Sequence, residues 1–153
     1  RIYPRKGIQV VPVEARSMAR VLEARKVLER LLVVKAAERA DAATRAELVL
    51  LAGELERVTD DPQGFFRLDR RLDELLSQAC DNDYLVQALA PLRAHCRRLW
   101  SLFRSDPDTG KAASLHAALA RAVADDAGAG AIGALNGIIS LLESFQRTLA
   151  ART

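Results

Sequence analysis

From Val13 to the end of the chain, apolar residues return every three or four positions, interrupted only by short polar breaks, most of them led by Asp. A helix turns about 100° per residue, so this spacing lays one apolar stripe along each of a series of helices. The first helix is expected from about Glu14 to Ala40, a stretch without Gly or Pro. Asp41 then caps a second, with Leu48, Leu51, Leu55 and Val58 on one side. Asp60, Asp61 and Pro62 stop that helix and start the next, with Asp as the cap and Pro in the first turn. The third helix ends near Cys80, and Asp81-Asn82 restarts the chain. The fourth carries Leu85, Leu89, Leu92, Cys96, Leu99 and Phe103, with an expected kink at Pro91. Ser105 to Gly110 reads as a loop. A fifth helix follows and breaks at Asp125 to Gly128. The last runs to about Ala150, with Leu135, Ile138, Leu142, Phe145 and Leu149 facing inward. Six helices on short connectors predict an all-α antiparallel bundle. The glycines at 128, 130, 133 and 137 fit either close helix approach or local flexibility.

At 153 residues, one compact domain with a real core is the default. The formal net charge of +3 is too mild to argue for nucleic acid by itself. Cys80 and Cys96 have no ligand-like spacing and read as reduced thiols of a cytoplasmic protein. No apolar run reads as a membrane helix and no signal peptide is evident, so no membrane partner is expected. The chain opens on Arg1 rather than Met, and is expected to begin partway through a longer protein.

Charge intrudes on several of the apolar stripes. Asp69 shares its side of the third helix with Phe65, Phe66, Leu68, Leu72 and Leu76, and Asp73 lies one turn on. His116 sits among Ala112, Leu115, Leu119, Ala120 and Val123. Arg25 sits among Met18, Val21, Leu22, Leu28 and Leu32. Burying charge is costly unless it is paired or bound to a ligand or metal, so these positions predict a polar cavity in the core. Arg25 reads either as a clamp for a ligand carboxylate or as a partner of Glu29 one turn away. Asp69, Asp73 and His116 read as ligand-binding residues and as a two-carboxylate, one-imidazole metal set suited to Zn, Mn, Fe or Ni. His95 and Trp100, beside the stripe of the fourth helix, read as cavity lining or as packing. Arg97 and Arg98 read as solvated or at a dimer edge.

Residues 1–13 are unlike the rest. Ile2, Tyr3, Ile8, Val10 and Val11 favour strand, and Arg5-Lys6-Gly7 reads as a basic hairpin turn. With this segment in view, the chain resembles the GntR family of transcription regulators, FadR-type subfamily. Residues 19–40, with Arg25 ahead of Leu28-Glu29, resemble the opening helix of its FCD domain. Residues 65–89 and 114–126 look like two later helices of that domain, and 1–13 resembles the wing that ends a winged helix-turn-helix. The resemblance implies two parts: residues 1–13 as a wing remnant touching DNA through Arg5 and Lys6, and 14–153 as the effector-binding and dimerisation domain. It implies a homodimer, a small organic-acid effector, an upstream DNA-binding domain, and in many members a divalent metal held by one Asp and three His. Asp69 and His116 match that set, Asp73 stands at the first His position, and Ile138 at or near the last.

The function expected is therefore a bacterial, ligand-responsive regulator domain and not an enzyme. Two alternatives stay open. One is a small helical-bundle enzyme acting on a carboxylate substrate, which needs several converging cations where only Arg25 is centred in an apolar arc. The other is a ligand-free interaction bundle. A di-iron bundle would need Glu-x-x-His pairs, and the sequence has none.

Overall fold

The structure is a computed structural model that describes residues 2–3, 7–8, 13–104 and 106–151. Its body is six helices: α1 (Ala15–Arg39), α2 (Ala42–Leu55), α3 (Pro62–Cys80), α4 (Asp83–Phe103), α5 (Asp106–Ala124) and α6 (Gly128–Ala150). Ahead of them, β1 (Ile2–Tyr3) pairs antiparallel with β2 (Gly7–Ile8), Ile2 opposite Ile8. The expected turn with Arg5 and Lys6 lies outside the described residues. The all-α bundle expected from the periodicity is the fold.

The breaks between helices are built as their residues dictate. Asp41 Oδ1 accepts from the Thr44 amide at 2.7 Å and opens α2. Asp61 Oδ1 accepts from the Gly64 amide at 2.8 Å ahead of Pro62, and a Cβ at Gly64 would collide with that carboxylate. Asp81 takes the left-handed conformation at φ 51°, which turns the chain so that Asn82 can accept from the Leu85 amide at 3.1 Å and start α4. Pro91 lies on the exposed side of α4, which runs on through it.

The expected loop over 105–110 is a correction: α5 already begins at Asp106. Asp-Pro opens a helix here as it does at residues 61–62, and Gly110 sits in the first turns, 3.2 Å from the Thr59 carbonyl when a Cβ is placed on it. The close-approach reading of the glycines holds at Gly137, where an added Cβ would lie 2.6 Å from Leu115 of α5.

α1 is the central rod and packs on α3, α4, α5 and α6. Its buried line runs Met18, Leu22, Arg25, Glu29, Leu32 and Val33, so two charged residues occupy the middle of an otherwise apolar stripe. Arg45 of α2 fastens two helix ends. Its guanidinium donates to the carbonyls of Ala37 and Ala40 at the end of α1 and of Val123 and Ala124 at the end of α5, at 2.7–3.0 Å. Arg39 likewise donates to the Cys80 carbonyl at the end of α3, at 2.6 Å.

α6 corrects one expectation. By length and composition it is apolar enough to cross a membrane. Its apolar residues include Leu135, Ile138, Leu142, Phe145 and Leu149, which are buried in the bundle core. Their burial against α1 and α5 accounts for the composition without a bilayer.

Candidate functional site

Five of the six helices converge on one hollow, with a cavity volume of about 40 Å³. On the same measure a single water takes roughly 10–15 Å³, so the space suits a few water-sized groups. α1 contributes Arg25; α3 contributes Asp69 and Asp73; α4 contributes Arg93, Cys96 and Arg97; α5 contributes His116. The remaining wall is apolar: Phe65, Phe66, Trp100, Ile138, Leu141 and Leu142, with Ala112. All four residues expected to meet in a polar cavity therefore do so.

The polar side is an ordered chain of ion pairs. Glu29, 3% exposed, accepts from Arg25 Nε through one oxygen. Its other oxygen accepts from Arg93 Nε at 3.0 Å and Nη2 at 2.8 Å. Arg25 thus pairs with Glu29 one turn on, as one reading expected, and it also lines the cavity. Arg93 passes its third nitrogen, Nη1, to Asp73 Oδ1 at 3.2 Å, and Asp73 Oδ2 accepts from Arg97 Nη1 at 3.1 Å. Arg97 is tied into the site and is not simply a solvated charge.

His116 belongs to a second, smaller chain. Its Nδ1 lies 2.7 Å from the Ala112 carbonyl, which can only accept, so Nδ1 carries a proton. Nε2 lies 3.2 Å from Asp69 Oδ1. A proton must sit between those two atoms, on one or the other, so the pair is neutral as a unit. Phe65 packs its ring edge-on to the imidazole at 5.1 Å and tilts against Trp100 at 5.5 Å. Trp100 Nε1 is buried without a hydrogen-bond partner among the described residues.

The two carboxylates that share Arg93 are displaced in opposite directions. Burial pushes Glu29 up, but the Arg25 and Arg93 charges win and hold it down at about 2. Burial pushes Asp73 up and, with the neighbouring charges of Asp69 and Glu29, outweighs Arg93, leaving it at about 6. For Asp69, burial is overcome by the hydrogen bond and charge of His116, and its carboxyl is lowered. For His116, burial is overcome by Asp69, and its imidazole is raised. Burial also raises the thiols of Cys80 and Cys96, both free and buried.

The donor set does not fit the metal centre expected from Asp69, Asp73 and His116. Asp69 and His116 are oriented as two ligands could be, with Nδ1 anchored and Nε2 turned to the carboxylate. Asp73, however, is engaged by two guanidinium groups, and Ile138 offers no donor. Among the described residues no group of three His, Cys, Asp or Glu side chains is placed to hold a metal ion. Three arginines occupy the cavity instead. His95 is exposed and does not line it.

Sequence reasoning missed Arg93 as a site residue and Glu29 as its organiser. The available signal was that Arg93 falls on the Leu89–Cys96–Trp100 face of α4, as Arg25 does on α1.

The family model for the FCD domain matches residues 20–151, nearly the whole bundle, and the chain belongs to that family. It is thereby a regulatory, effector-binding domain of the GntR type. No curated protein and no solved structure matches the chain.

Proposed function

We propose that this chain is the effector-binding and dimerisation domain of a bacterial regulator of the FadR-type subfamily, and that a small organic acid held in the cavity controls DNA binding. One observation carries the reading: Arg25, Arg93 and Arg97 converge on a hollow inside the core of an FCD domain. Guanidinium groups bind carboxylates in a planar, bidentate manner, and a site away from bulk water strengthens that attraction. Residues 1–13, with Arg5 and Lys6, fit the end of a DNA-binding wing in this scheme. Val27 and Leu31, one turn apart on α1, are 69% and 47% exposed, which supports pairing with a second copy.

Regulation then follows from coupling. Acid binding links α1, α3, α4 and α5 through shared partners, and a change in their packing would be passed to upstream DNA-binding domains. Such couplings are typically about 1–3 kcal/mol.

The test is a thermal-shift screen of the domain against organic acids, with and without chelator. A ligand present at about 100 times its Kd stabilises the native state by about 2.7 kcal/mol, which raises Tm by several degrees. Chelator should leave both the basal Tm and the ligand-induced rise unchanged. A Tm indifferent to every acid would favour the ligand-free interaction bundle. Turnover of an added carboxylate would favour the enzyme.

A further inference from the structure

We infer that the effector is a small monocarboxylic acid with a very short aliphatic body, matched to a hollow of about 40 Å³, rather than a dicarboxylate or a polyhydroxylated sugar acid. The inference rests on the effector-site reading above and narrows it.

The charge balance of the cavity comes first. Asp69 and His116 share one proton across their 3.2 Å contact while Nδ1 keeps its own on the Ala112 carbonyl, so the two are neutral together. Arg25, Arg93 and Arg97 remain against Glu29 and Asp73, which leaves one positive charge. A single carboxylate neutralises it. A second carboxylate would be left uncompensated inside a buried site, and that is heavily penalised.

The distribution of the wall comes second. Every guanidinium arises from α1 or α4, whereas α6 contributes only Ile138, Leu141 and Leu142, and the start of α3 contributes Phe65 and Phe66. The cations therefore come from two helices only, and most of the uncharged lining, Trp100 of α4 included, is aliphatic and aromatic carbon. Ligand hydroxyls spread along a sugar acid would meet Ile138, Leu141, Leu142 and Phe66, none of which can hydrogen-bond through its side chain. A polar group buried that way gives up its hydrogen bonds to water and gains none in return.

The position of the carboxylate comes third. Asp73 bridges Arg93 and Arg97 with one oxygen to each, and both Asp73 and Arg97 are the more exposed members of the ion chain, at 21% and 36%. Arg97 is held by one bond to Asp73, whereas Arg93 is committed to Glu29 through two nitrogens. Arg97 is thus the cation most easily turned to an incoming carboxylate, and Arg25 lines the same cavity.

Titration calorimetry of the domain with the size-matched set propanoate, 2-methylpropanoate, malonate, glycerate and neutral propanamide tests this. Propanoate or 2-methylpropanoate should bind at least tenfold more tightly than malonate, glycerate and propanamide. In Arg97→Gln that affinity should fall at least tenfold, while circular dichroism shows the helical fold intact. Malonate or glycerate binding as tightly as the apolar acids would overturn the class of ligand and leave the effector site standing. Unchanged affinity in Arg97→Gln would overturn the placement of the carboxylate. Failure of every acid to bind would remove the effector site and this inference together.

Discussion

Glu29 and Asp73 are both carboxylates, both bonded to Arg93, and they behave oppositely. Glu29 lies on the sealed side of the polar core, where two guanidinium groups satisfy it and hold it ionised. Asp73 lies on the open side, with one bond to each of two cations and two acids nearby, and its proton is held more tightly than in water. The sealed side resembles a finished structural joint. The open side is electrostatically unfinished, and groups of that kind cluster where ligands bind.

The largest effect should come from breaking the joint. Glu29→Gln leaves Arg25 and Arg93 buried without a full countercharge, at a cost of about 3 kcal/mol in urea unfolding. Because Glu29 is depressed to about 2 from 4.5, its contribution is complete above about pH 4.5. It disappears as pH falls through 2. The gap between wild type and variant should therefore be widest at neutral pH and close in strong acid. An equal gap at pH 7 and pH 2 would show that Glu29 acts by packing alone.

Next is Arg45→Ala, which strips one donor group from four carbonyls at the ends of α1 and α5. Hydrogen bonds from a charged donor contribute about 1.5–3 kcal/mol, and a loss of about 2 kcal/mol is expected because water replaces part of the set. Ligand affinity should not change, since Arg45 does not line the cavity. That separates a purely architectural arginine from the three in the site.

Asp73→Asn should go the other way. The folded chain holds the Asp73 proton up to about pH 6, against 3.8 when unfolded. Wild type therefore gains stability from this group as pH falls from 7 toward 4, and loses it as pH rises. At pH 7 the variant should be more stable, by on the order of 1 kcal/mol. Urea midpoints at pH 7 and pH 5 should show the difference shrinking at the lower pH. A destabilised variant at pH 7 would mean that the bonds to Arg93 and Arg97 outweigh the cost of burial.

How far the sequence led to this site depends on which link is considered. The helix stripes were legible because the 3.6-residue period is local, and so were the breaks at Asp41, Asp61 and Asn82, whose side chains cap their own helices. The start of α5 was misread because Asp-Pro also begins turns, and only the packed bundle shows Gly110 inside a helix. Asp69, Asp73, His116 and Arg25 were legible because each offends an apolar face. Glu29 was legible only as a partner for Arg25; its pairing with Arg93 was not, since the two neutralise one another across α1 and α4, 64 residues apart, and a one-dimensional pattern carries no trace of that. The metal expectation failed to fit for a related reason: spacing on α3 sets Asp69 near Asp73, but which cations arrive from α4 decides what Asp73 can bind.

The smallest expected effect sharpens the same contrast. Arg121 of α5 meets Glu56 just past α2 through two parallel bonds of 2.8 Å, a better geometry than any bond Asp73 makes. Both side chains are nearly half exposed, at 45% and 48%. Water screens the attraction and two flexible side chains must be held still, so such pairs contribute little. Arg121→Ala should leave the urea midpoint within error of wild type, and added salt should not change that comparison. A clear loss would show that bond geometry, rather than burial, separates the pairs in this bundle, and Glu29 and Asp73 would then need a different account.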